Sequence, residues 1–257
     1  MNGMLETIVK GASRIMLEHE NAAIHQKDGH NNFVTEADLM VQEYLQEKLL
    51  AYQPGSHFFA EEQENIKLTN ALTWMVDPID GTTNFMRGRH FSAISVALME
   101  NREPVLGIVY NPYTGELFRA EKGEGATLNG HPIAPATTPF DQALVTIGTA
   151  PYNPVFAEAS LKAALQFLLK AGDLRRTGSA ALELTEVACG RTDIFYEMDL
   201  APWDYAAGWL IAKEAGALTA MPFAAQEDFG RNNGILACNP HCLEQSLAIL
   251  RAVRGAE

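Results

Sequence analysis

The sequence predicts an α/β fold with layers of helix and sheet, on three observations. Apolar residues recur at helical spacing over residues 4–20 and again over residues 39–49. Apolar runs of strand length crowd between residues 93 and 120, divided by Asn, Pro and Gly turn residues. The second half then alternates short strand-like runs with longer helical ones.

Taken in order, Leu5, Ile8, Val9, Ala12, Ile15 and Met16 fall on one face of a first helix. Residues 21–32 are polar and read as an exposed loop or hairpin. Thr35 is an N-cap, and Asp38 three residues on completes a capping box. That second helix runs to about Tyr52, and Pro54-Gly55 stops it. Residues 56–60 form a strand that ends at Glu61 and Glu62. Trp74-Met75-Val76 is a buried strand ending at Asp77, because Pro78 has no N–H for the ladder. Strands over 93–99, 105–110 and 116–120 suggest an antiparallel or mixed sheet. The second half gives a strand at 144–147, helices at 155–169 and 180–189, and a strand at 194–198. Residues 203–215 are apolar and Ala-rich, as in a helix buried on most sides. Short strands at 218–220 and 235–237 and a helix at 240–253 close the chain.

The 257 residues fit one domain, 1–257, built of two packed αβ halves (about 1–140 and 141–257). A net charge of −13 argues against nucleic-acid binding, which needs a basic footprint. It does not exclude an anionic substrate, since bound cations reverse the local sign. No apolar run is long enough for a membrane span. Cys189, Cys238 and Cys242 are an odd, sparse set without CxxC spacing, which suggests free thiols in a reducing compartment. With no basic leader before an apolar core, the expected location is cytoplasmic. Cys238, His241 and Cys242 lack the second ligand pair of a metal site. The seven histidines form no HxH or HExxH pattern and read as structural or surface groups.

The chemistry concentrates in WMVDPIDGTTNF, residues 74–85. Two carboxylates, Asp77 and Asp80, stand on a turn after a strand, followed by a run of backbone N–H groups. Carboxylates bind hard cations through oxygen. Free N–H groups at a turn or helix start bind phosphate oxygens. Asp38, Glu61 and Asp204 share the context, each at a strand end or helix start. Each alone is explained by capping; the set of five points to a metal–phosphate site.

Three blocks resemble the inositol monophosphatase family of Mg²⁺-dependent, lithium-sensitive phosphatases: FFAEEQ at 58–63, WMVDPIDGTTNF at 74–85 and WDYAAGWLIAKEAGA at 203–217. FVTEAD at 33–38 and GSAALEL at 178–184 add weaker matches in the family's order. The resemblance implies a layered αβαβα sandwich and a homodimer. It implies two or three Mg²⁺ ions on Glu61, Asp77, the Ile79 carbonyl, Asp80 and Asp204. Glu61, or the Thr82–Asp38 pair, takes the proton of the attacking water. Gly81 and Thr82 hold phosphate oxygens, Glu197 and Asp204 lie toward the substrate, and Lys27 completes the site from a loop. Arg175 is structural, and Arg176 is a candidate contact for a second anionic group.

Ala201-Pro202 departs from the His-Cys that many animal members carry before Trp-Asp, at the substrate's non-phosphate end. Thr83 favours the inositol group over the nucleotide-phosphate branch, where lysine is common. The substrate implied is inositol monophosphate or a related small polyol or sugar phosphate. Histidinol phosphate on the same chemistry, and a non-catalytic regulator that binds metal or anion, are the alternatives.

Overall fold

The computed structural model describes residues 2–21, 23–26, 33–65 and 67–254. The first half contains α1 (Asn2–Glu18), β1 (Ile24–Gln26), β2 (Phe33–Thr35), α2 (Glu36–Tyr52), β3 (His57–Ala60), β4 (Thr73–Asp80) and α3 (Thr82–Met86). Five strands follow: β5 (Ala93–Glu100), β6 (Glu103–Asn111), β7 (Glu116–Glu121), β8 (Ala126–Leu128) and β9 (His131–Pro132). The rest is β10 (Leu144–Ile147), α4 (Ala157–Lys170), β11 (Asp173–Arg175), α5 (Ala180–Ala188), β12 (Ile194–Leu200), α6 (Pro202–Ala215), β13 (Leu218–Ala220), β14 (Asn233–Cys238) and α7 (Leu243–Arg254).

β3 to β9 form a seven-stranded sheet in sequence order, antiparallel except for the parallel β3–β4 pair. A second sheet has the order β11-β10-β12-β14-β13. Both faces of the first sheet are covered. Trp74, Val76, Val96 and Ile108 face Leu5, Val9 and Met16 of α1 and Val41 and Leu45 of α2. The alternate residues Met75, Ala97, Val109 and Phe118 face α5 and α6. On the far side of those helices lie Phe195 and Ile235 of the second sheet. Its outer face packs Val145, Tyr196 and Leu236 against Phe167 of α4 and Leu250 of α7. The layers are therefore αβαβα, as expected. The Ala-rich α6 sits in the middle layer, buried on most sides.

Two elements differ from the sequence expectation, β4 and the start of α4, while the polar segment after α1 forms the hairpin, one of the two readings its sequence allows. β4 does not stop at Asp77 but continues through Pro78 to Asp80. Its register against β5 shifts between Asp77 and Asp80, and this irregularity accommodates a residue that cannot donate to the ladder. In the polar segment after α1, β1 pairs antiparallel with β2, while residues 27–32, and Lys27 with them, lie outside the described residues. The helix expected from residue 155 begins with a 3₁₀ turn, Pro154–Phe156, before α4. No helix among the described residues is long and apolar enough to cross a membrane.

α6 approaches the first sheet closely at one point. A β-carbon at Gly107 would come within 2.7 Å of the Ala207 carbonyl oxygen. Gly107→Val is expected to lower stability by about 1–3 kcal/mol through overpacking. In urea melts the midpoint should fall with the slope unchanged. An unaltered midpoint would contradict this contact.

Candidate active site

The C-terminal end of β4 brings Asp77, Ile79 and Asp80 to a cleft of about 610 Å³. Asp77 Oδ1 accepts the Ile79 N–H at 2.9 Å. Gly81 follows with φ 87°, in the left-handed region, and a β-carbon there would lie 3.1 Å from the carbonyl oxygens of Gly178 and Phe91. Conformation and space both require glycine at this turn. α3 starts at Thr82, so the first N–H groups after the turn have no partner within the helix. The Thr82 hydroxyl donates to the Ile79 carbonyl at 3.2 Å. Glu61 follows β3 directly, its N–H donating to the Val76 carbonyl at 3.3 Å. Asp204 is the third residue of α6, which opens on Pro202, and its Oδ2 accepts the Ala201 N–H at 2.8 Å.

Glu61, Asp77, Ile79, Asp80, Gly81, Thr82, Glu197 and Asp204 all line this cleft. Of the residues expected from the sequence, two are not among those lining it. Asp38 is buried behind, in the first turn of α2, where its Oδ2 accepts from the Thr35 N–H at 2.8 Å and the Thr35 hydroxyl at 2.5 Å. Its charge is still felt at Asp77. Lys27 lies outside the described residues.

Crowded acids dominate the electrostatics. Burial, then the charges of Glu61, Asp80, Asp204 and Asp38, push the Asp77 pKa well up. Burial and Glu61 do the same for Asp204. Asp80 rises to about 6, mainly through burial, opposed by hydrogen bonds from Ser179 and Ala181. Burial lifts Glu197 to about 7, against the Ala150 N–H and the Arg176 charge. Arg176 is the one cationic side chain among the described residues lining the cleft. Among the described residues no group of three or more His, Cys, Asp or Glu side chains stands ready-made as a metal cage. The carboxylates are instead held by N–H and hydroxyl donors. The donor set fits hard divalent cations all the same: carboxylate oxygens from three separate elements, with the Ile79 carbonyl between two of them, are the all-oxygen ligands such ions take.

Several residues in or just behind the cleft carried no reading of their own from the sequence; Glu183 and Asp199 line it, and Ser179 and Asn84 do not. The Ser179 hydroxyl donates to Asp80 Oδ2, which also accepts the Ala181 N–H at 2.8 Å, so the start of α5 points at Asp80. Asn84 Nδ2 donates to the carbonyls of Phe91, Thr177 and Gly178 at 2.8, 2.9 and 3.2 Å. From the other side, Glu183 accepts from the N–H groups of Thr177 and Gly178 and from the Thr177 hydroxyl. Burial raises Glu183 to about 8. The signal was present in GSAALEL, where Ser179 stands at an N-cap and Glu183 is an acid inside an apolar run. Asp199 also lines the cleft, two residues beyond Glu197 on the same strand face.

The remaining candidates stay outside. His90 stacks on Tyr113 with ring centroids 4.6 Å apart. Arg175 pairs with Asp173 at 2.6 Å. Cys238 and Cys242 are free and buried, their thiols pushed up to about 12 and about 11 by burial.

A layered α/β sandwich here presents strand-end carboxylates and a glycine turn on one cleft, a donor set suited to divalent cations and phosphate. The profile of the inositol monophosphatase family matches residues 3–254, and the chain belongs to that family. It is 37% identical over 220 residues to inositol monophosphatase 3 of Solanum lycopersicum, covering 83% of this chain and 82% of the relative. It is 32% identical over 259 residues to the Nus factor SuhB of Escherichia coli K12, covering 98% and 97%. Among solved structures, the Thermotoga maritima IMPase superposes with a TM-score of 0.88 at 27% identity, over 100% of this chain and 99% of that one. An IMPase/NADP phosphatase complexed with Mg²⁺ and phosphate gives 0.84 at 26% identity, over 96% and 92%.

The raised carboxylates set a pH dependence for protein held in chelator. Asp80, Glu197 and Glu183 sit near 6, 7 and 8 when folded, against ordinary values of 3.8 and 4.5. Their stabilising contribution is complete below the ordinary values and is lost as pH rises through the folded ones. The melting temperature in EDTA should therefore fall between about pH 5 and about pH 8. A midpoint that holds or rises over that range in calorimetry would count against the burial of these groups.

Proposed function

We propose that this chain is a Mg²⁺-dependent phosphomonoesterase that hydrolyses inositol monophosphate or a related small polyol or sugar phosphate. The observation that carries the reading is the convergence of Glu61, Asp77, Asp80 and Asp204 on the cleft that holds the Gly81–Thr82 turn. The similarity to a phosphatase solved with Mg²⁺ and phosphate supports it. Glu61, Asp77, the Ile79 carbonyl, Asp80 and Asp204 would hold two or three ions, in keeping with the family resemblance. Bound there, Mg²⁺ supplies charge neutralisation and a water of lowered pKa.

The chain's own groups do the rest. The backbone N–H groups at Gly81 and Thr82 receive phosphate oxygens where α3 begins. Glu61, or the Thr82 hydroxyl with Asp38 behind it, accepts the proton of the attacking water. Glu197 and Asp204 receive the alcohol's hydroxyls, and Lys27 is added on the strength of the family resemblance alone. The donors and acceptors among the described residues are held by the fold before substrate arrives, which is where such sites gain most of their rate.

Two further readings each have an observation behind them. Asp199 adds a carboxylate beside Glu197 at the alcohol end, which favours an amine-bearing alcohol such as histidinol phosphate. The similarity to a protein named Nus factor SuhB favours a regulator that binds metal or anion without turnover. As in the family it resembles, the assembly is proposed to be a homodimer, to be read by sedimentation.

The deciding experiment is phosphate release from a panel of small phosphate esters with Mg²⁺, with and without Li⁺. The expected result is Mg²⁺-dependent turnover, best on a polyol phosphate and inhibited by Li⁺. Turnover on none of the panel would leave the regulator reading. Asp80→Asn should reduce kcat by at least about 100-fold, more than the loss of an outer-shell partner. Near-normal turnover in that variant would remove Asp80 from the ligand set.

A further inference from the structure

Residues 148–153 (Gly-Thr-Ala-Pro-Tyr-Asn) run along the cleft between its acidic end and β12. The segment is tied down almost residue by residue. Gly148 N–H donates to the Tyr196 carbonyl at 2.9 Å. Ala150 N–H donates to Glu197 Oε1 at 2.7 Å. The Thr149 hydroxyl accepts from Arg176 at 3.4 Å, and Asn153 Nδ2 donates to Asp199 Oδ2 at 3.0 Å. A β-carbon at Gly148 would sit 1.9 Å from the Glu197 carboxylate, so a larger residue there would displace Glu197 from its place. Ala150 is held at φ 44° ahead of Pro151, a conformation that alanine adopts only when its surroundings impose it. What this fastening presents is Tyr152. Its ring is 57% exposed, yet it lines the same cleft as Asp77 and Asp80.

We propose that residues 148–153 form the wall of the alcohol subsite and that Tyr152 is a substrate-positioning residue whose ring packs on the carbon skeleton of the alcohol. Of the two described aromatic residues lining the cleft, Trp203 packs its ring against Phe59 at 5.7 Å, while Tyr152 is the more exposed and can offer apolar contact to the face of a polyol or sugar ring. Glu197 is then engaged twice, holding the wall through Ala150 and facing the substrate's hydroxyls. The inference rests on the phosphatase reading of the cleft and is tested so that the two can fail separately.

Tyr152→Ala and Tyr152→Phe in the full chain are compared on inositol 1-phosphate and on methyl phosphate, which has no skeleton to grip. Tyr152→Ala is expected to raise KM for inositol 1-phosphate about 3- to 10-fold, the size of one aromatic contact. Its kcat should stay within about twofold and methyl phosphate kinetics should barely change, while Tyr152→Phe restores KM. Equal losses on both esters, or no loss on either, would overturn the assignment. Calorimetric binding of inositol 1-phosphate in Ca²⁺ is measured alongside. If the wild type binds without turnover, weaker binding by Tyr152→Ala upholds the subsite while the phosphatase reading fails. Equal binding by the two proteins, or no binding by the wild type, overturns the subsite.

Discussion

Asp77 and Asp80 are three residues apart on one strand, an odd spacing that sends side chains to opposite faces of a regular ladder. The register shift between them against β5 removes that parity. Both carboxylates then face one cleft, with the Ile79 carbonyl between them. Much of the site depends on this irregularity. Gly81 turns the chain at the same point, and the N-terminus of α3 is placed beside the acids rather than behind them. Pro78 is part of the arrangement, since it gives the ladder no donor where the pairing is already broken.

A second constraint joins the two sheets across the cleft. The Thr177–Gly178 peptide is clamped between Asn84, from the first half, and Glu183, from α5. It therefore fixes where Ser179 and the start of α5 meet Asp80. Glu183 is buried among apolar residues, a costly place for a carboxylate, and its raised pKa is the visible part of that cost. Two N–H groups and a hydroxyl offset it. This is a polar network that holds geometry more than it adds stability.

The layers and most elements were legible in the sequence because period and punctuation agreed. The face of α1, the Thr35 capping box, the Pro54-Gly55 stop and the Ala-rich α6 all read correctly. The carboxylates were legible as a set because each stood at an element end. The extension of β4 past Pro78 was not, because a bulge is a property of the pairing and its partner strand lies elsewhere in the chain. β8, β9 and β11 are two or three residues long and owe their pairing to neighbours rather than to their own pattern. Ser179 and Asn84 were missed for a related reason, since their partners Asp80 and Thr177 lie in the other half of the chain. Glu183 carried a local mark, an acid inside an apolar run, but that mark does not name the Thr177 and Gly178 groups it holds.

The two ends of the cleft differ in how they are built. At the end proposed to take phosphate the groups belong to backbone and to strand ends: a glycine turn, a helix start and carboxylates locked by N–H donors. Such an end tolerates little change, because moving one atom moves a strand. At the end proposed to take the alcohol the groups are side chains, Glu197 and Asp199 from β12, Tyr152 and Asn153 from one tethered segment, and Arg176. These can be exchanged without disturbing β4. A chain with this division could keep one reaction while its alcohol changed, which fits the resemblance's placing of the atypical Ala201-Pro202 segment at the non-phosphate end. The net charge of −13 follows the same logic. On the proposed reading, acids concentrated in the cleft would repel an anion only until cations occupied them, which would link metal binding to substrate binding through the charge of a single cleft.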